Sequence, residues 1–119
     1  MRLLVVSLAL ALSLTAVAQE KKAPGPPKNL KVLPADTNIR QTMRNYTASL
    51  GVMCTYCHVQ GDFASDDNPK KNVARAMIRM VGEINSRFPD GKAHVGCFTC
   101  HRGKEEPEMD PPAAEAPKQ

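Results

Sequence analysis

Cys54-Thr55-Tyr56-Cys57-His58 and Cys97-Phe98-Thr99-Cys100-His101 are two copies of one pattern, C-x-x-C-H, in a chain of 119 residues. Two thiols separated by two residues lie along one tight turn, and the histidine after the second thiol is carried on the same turn. This is the attachment signature of c-type haem. The thiols add to the two vinyl groups on one porphyrin edge, and the imidazole becomes the proximal iron ligand. Other uses of four cysteines explain the pattern less well. A thioredoxin-like dithiol needs one CxxC beside a β-α-β unit, and none is visible. A zinc site or two disulfides give no reason for a histidine directly after both pairs, which stand 39 residues apart. The sequence therefore predicts two covalent haem c groups, on Cys54 and Cys57 with His58 on the iron, and on Cys97 and Cys100 with His101 on the iron.

Composition supports an added apolar group. Aromatic residues make up 4% of the chain and tryptophan is absent, a thin core for one domain. Two porphyrins would supply buried apolar surface that the side chains lack. The formal charge of +4 falls to +3 without Arg2, and no Lys/Arg-rich run is present, which excludes nucleic acid as a partner. So small a charge names no particular protein partner.

The termini read as non-core. Residues 1–18 carry one Arg, an apolar run shorter than the ~20 residues of a membrane span, and Ala16-Val17-Ala18 at the exit. They are expected to be a signal peptide cleaved after Ala18. That places the mature chain in the periplasm with no integral membrane anchor. Residues 19–28, rich in Pro and Lys, read as a flexible linker, 29–103 as the haem-bearing domain, and 104–119 as a disordered Pro/acidic tail.

Two amphipathic helices are predicted, over about 37–50 and 69–88, with caps at Asp36 or Thr37 and at Asn68. The only strand-like stretch is 30–33. Asn45-Tyr46-Thr47 matches a glycosylation sequon, and its helical context marks this as a chance match. A shift of 34 residues lays Ile39 on Val73, Met43 on Met77 and Leu50 on Ile84. Each helix then leads through a short connection to a CxxCH motif, the second connection being nine residues longer. The fold class expected is mainly α: a small dihaem c-type cytochrome of two helix–turn–CxxCH units with flexible termini.

Methionine opposite histidine makes a low-spin electron carrier of raised potential. Met43 and Met77 sit centrally on the repeated helices, 11 and 20 residues before their motifs, and are the expected distal ligands. Met80, one turn from Met77, is the alternative for the second iron. Met53 abuts Cys54 and is badly placed to reach the opposite face, and Met109 lies in the tail. His94, the one histidine outside the motifs, is expected to face solvent. Arg40, Arg44, Arg75, Arg79 and Arg102 are candidates for pairing with propionates.

Leu50-Gly51-Val52-Met53-Cys54-Thr55-Tyr56-Cys57-His58, the run Val73-Ala74-Arg75-Ala76-Met77-Ile78-Arg79-Met80, Ile84-Asn85, and Val95-Gly96-Cys97-Phe98-Thr99-Cys100-His101-Arg102-Gly103 extend the motifs considerably. On these residues the chain resembles the cytochrome subunit of photosynthetic reaction centres and its short relatives. The resemblance implies haem units built as helix, turn and CxxCH, with the axial methionine on the preceding helix, at the positions of Met43 and Met77 here. Members serving reaction centres carry four haems, whereas this chain has motifs for two. A lipid-anchor cysteine known in some members is missing.

The expected function is electron transfer between redox partner proteins, not catalysis. A small haem enzyme or sensor with one open iron is the first alternative, distinguished by the spin state and ligation of both irons. An electron-transfer subunit of a larger complex is the second, distinguished by co-purification.

Overall fold

The two side chains buried most completely are cationic, Lys71 and Arg75, while Val73, Met77, Met80, Phe63 and Phe98 are exposed. The computed structural model describes residues 25–111. Among them the elements are α1 (Ile39–Leu50), a 3-10 turn (Cys54–Tyr56), α2 (Lys70–Asn85) and α3 (Cys97–His101), with no strand. The expected class, mainly helical, is what is found, and each CxxCH motif opens a short helical turn after a longer helix. The proposed signal peptide, most of the linker and the end of the tail lie outside the described residues.

The helix boundaries follow local chemistry. At the start of α1, Asn38 and not Asp36 or Thr37 is the cap: its side chain accepts a hydrogen bond from the Gln41 N–H at 3.2 Å. Asn45, the sequon residue, lies inside α1 and accepts a hydrogen bond from Gln41. The cap position of α2 falls on Pro69, one residue after the predicted Asn68, whose side chain accepts from the Lys70 N–H at 3.0 Å. The α2 helix ends at Asn85, short of Phe88, where the Arg87 and Phe88 N–H groups turn to the Ile84 and Asn85 carbonyls three residues back, and the Asn85 side chain is turned to the loop before the second motif. It accepts from the His94 and Val95 N–H groups and donates to the Val95 carbonyl. Residues 31–33 form bends and not a strand. Lys31, among them, is pulled to Asp66 at 2.6 Å.

Helix α1 packs on α3, so the helix of the first unit lies against the motif of the second. The join is a backbone contact. Gly51 ends α1 in the left-handed conformation at φ 67°, and a Cβ there would stand 2.1 Å from the Gly103 carbonyl oxygen. The Gly103 N–H in turn donates to the Ser49 carbonyl at 2.8 Å, satisfying one of the carbonyls left open at a helix end.

A second join is ionic. Asp66, on the loop after the first motif, meets Arg75 at 2.8 Å, Lys31 at 2.6 Å and Lys71 at 3.4 Å. Arg75 foremost, then Lys31, holds the Asp66 carboxyl well below the usual carboxylate range. Its folded pKa lies below the unfolded one. The stabilisation is therefore full above the ordinary aspartate value and is lost as pH falls through the folded value. Thermal unfolding of the mature protein should show Asp66→Asn less stable than wild type at neutral pH, with the difference shrinking in acid. A difference that stays constant down to pH 2 would exclude this linkage.

Candidate functional site

Each motif places its histidine in the same way. The His58 Nδ1 lies 2.9 Å from the Phe63 carbonyl oxygen, and the His101 Nδ1 lies 3.0 Å from the Lys104 carbonyl oxygen. A carbonyl can only accept, so Nδ1 carries a proton in both rings and Nε2 is the nitrogen left for a metal. Metal-binding histidines are oriented in this manner, with the second ring nitrogen donating to a carbonyl. The Phe63 ring lies 5.2 Å from the His58 ring and adds an apolar wall.

The four cysteines are unpaired thiols. Cys54 lies on the 3-10 turn and Cys57 immediately after it, while Cys97 and Cys100 belong to α3. Cys54 and Cys100 are exposed, and Cys57 and Cys97 are half-buried. Burial pushes the Cys57 and Cys97 thiols up from their ordinary value, with Lys70 opposing the rise at Cys57.

One recess joins Met77 and Met80 to Cys97, Cys100 and His101, so both candidate methionines of α2 stand beside the second motif. A larger cavity of about 520 Å³ opens between α1, α2 and the start of α3, bounded by Tyr46, Ser49, Ile78, Val81, Cys97 and Phe98. It falls in the size range of small-molecule sites. Burial here raises the Tyr46 phenol above its usual value, with Cys97 adding to the rise. Met43 is half-buried on α1. The donor set and surroundings fit haem c: paired thiols, an imidazole whose Nδ1 is held by a carbonyl in each motif, thioethers beside the second motif, and apolar surface for a porphyrin.

Other predicted participants have local partners. His94 is exposed, its Nε2 lies 2.8 Å from Asp90, and its ring stacks on Phe88 at 4.4 Å. Arg75, a candidate for propionate pairing, is engaged with Asp66, Asn72 and the Asn29 carbonyl. Three features escaped the sequence. They are the carbonyl partners of the two histidines, the buried Lys71, and the contact of Tyr56 with Glu105 and Lys70. Only the Lys71–Arg75 spacing of four, which puts both on one helix face, hinted at any of them.

A mainly helical chain with two CxxCH turns, each histidine set by a backbone carbonyl, is a c-type cytochrome. A family model described as photosynthetic reaction centre cytochrome C subunit matches residues 13–117, and the chain belongs to that family. It is 49% identical over 59 residues to the photosynthetic reaction center cytochrome c subunit of Thermochromatium tepidum, covering 45% of this chain and 14% of that protein. It is 43% identical over 65 residues to cytochrome c-554 of Chloroflexus aurantiacus, covering 50% and 16%. The reaction center subunit of Rubrivivax gelatinosus is 34% identical over 82 residues, covering 55% and 22%. The matched part is thus between about a seventh and a fifth of the length of these relatives. No solved structure matches the chain. No helix among the described residues is long and apolar enough to cross a membrane.

Proposed function

We propose that the chain is an exported, periplasmic dihaem cytochrome that passes electrons between redox partner proteins. The observation that supports this best is the duplicated histidine geometry: two imidazoles, each with Nδ1–H given to a carbonyl and Nε2 left for iron, each beside a CxxC dithiol. Cys54, Cys57, Cys97 and Cys100 would carry the thioether links, His58 and His101 the proximal bonds, and Met43 and Met77 the distal ones. Haem, when bound, supplies a one-electron Fe(III)/Fe(II) couple. The polypeptide fixes ring orientation through Phe63 and Lys104, and would supply neutral thioethers that favour the reduced metal and exposed apolar side chains of α2 to cover the group. A reaction centre, for which two of the relatives above are named, is one candidate redox partner.

Intact mass of the full chain, exported in cells with haem-maturation machinery, tests the reading. The expected mass is that of the chain from Gln19 onward plus two haems. A mass matching apoprotein, with zinc or with two disulfides, would overturn it.

A further inference from the structure

The two histidine partners differ in one respect. The Lys104 carbonyl accepts from His101 and from no other donor among the described residues. The Phe63 carbonyl accepts from His58 at 2.9 Å and also from the Lys71 ammonium at 3.0 Å. Lys71 is only 9% exposed. Its Nζ also donates to the Ala64 and Ser65 carbonyls, at 2.9 and 2.6 Å, and stands 3.4 Å from Asp66. Three converging carbonyls and a carboxylate make this a built cation site, since a buried ammonium persists only when its donors are taken up. The charge is therefore held fixed beside the oxygen that orients His58.

We propose that Lys71 is a positioning residue that acts on His58 through the Phe63 carbonyl and raises the reduction potential of the first-motif haem relative to the second. The inference rests on the reading of His58 as an iron ligand. A histidine that donates strongly from Nδ1 becomes a more basic ligand and favours Fe(III). Lys71 draws on the same oxygen and weakens that donation. Its own positive charge, offset only in part by the Asp66 carboxylate 3.4 Å away, disfavours Fe(III) as well. Both effects have one sign, and among the described residues no ammonium donates to the Lys104 carbonyl beside His101. The difference would bias electrons toward the first-motif haem.

The test uses the haem-loaded mature protein as wild type, Lys71→Gln and Lys71→Arg. Covalent haem on Cys54 and Cys57 is checked first by peptide mass. Its absence in wild type would defeat the reading of the first motif, and this inference with it. With haem present, Lys71→Gln should lower one of the two potentials, changing the oxidised-to-reduced ratio at fixed potential about tenfold, or 59 mV for one electron. The other potential should stay, and Lys71→Arg should restore the first. In ¹⁵N-resolved spectra of the reduced protein, the His58 Nδ1–H signal should move downfield in Lys71→Gln while that of His101 stays. Unchanged potentials, an equal shift of both, or an unmoved His58 signal would overturn the proposal. Should Lys71→Gln fail to assemble, wild type alone decides: His58 Nδ1–H must resonate upfield of His101 Nδ1–H, and the reverse order overturns it.

Discussion

Met43→His should lower the potential of one haem and leave the other nearly unchanged, and Met77→His should do the same to the other haem. A thioether is soft and neutral and favours Fe(II). Imidazole is more basic and favours Fe(III), so the exchange should move the oxidised-to-reduced ratio at fixed potential by at least about tenfold, 59 mV for one electron. Replacement by alanine should instead open one iron to water or small ligands. Each alanine variant should also remove roughly half of the long-wavelength charge-transfer band of Met–Fe(III) bonding, when the two sites contribute comparably. The second site carries its own control, because Met77 and Met80 line the same recess beside His101. Loss of the band in Met80→Ala, with Met77→Ala silent, would move the ligand one turn along α2. If neither matters, another ligand serves the second iron.

Gly51→Ala should be the most damaging single change outside the ligands. The residue is left-handed at φ 67°, which costs a non-glycine roughly 1–2 kcal/mol. The new methyl would also stand 2.1 Å from the Gly103 carbonyl oxygen, forcing α1 away from the segment after the second motif. A total loss of about 3 kcal/mol or more is expected in thermal unfolding of the haem-loaded protein. The second-motif spectrum should change too, because Lys104, whose carbonyl holds His101, is the next residue along. Gly82→Ala is the matched control. Gly82 lies within α2 with nothing within 4 Å of a Cβ, so stability should rise by about 0.5–1 kcal/mol. Equal effects at the two glycines would refute the contact argument.

The motifs, the helices and the mainly α class were legible because each is written locally. CxxCH is a five-residue pattern, and helix α1 carries its apolar period within its own length. The start of α2 was readable to within one residue of Asn68 for the same reason. The packing was not legible. The period of α2 gave no sign that Lys71 and Arg75 would be its buried side chains. The reason is the loop 59–66, whose carbonyls and Asp66 form an anionic pocket that only cations can fill. No periodicity reports where a loop carbonyl will point. The partners of His58 and His101 were invisible for that reason, and Glu105 was assigned to the tail although it reaches back to Tyr56 inside the first motif.

The crossing of α1 onto α3 bears on how such a chain could be cut or rebuilt. The duplication in the sequence suggests a cassette that could be excised, circularly permuted or strung into longer arrays one haem at a time. The Gly51–Gly103 contact and the Ser49–Gly103 hydrogen bond say otherwise. The helix that introduces one motif closes the other, so the heritable repeat and the cooperative unit are out of phase. Two motifs are the least that can be inserted, deleted or transplanted together, and a half-chain ending in the 59–66 loop would leave α1 with nothing to lean on.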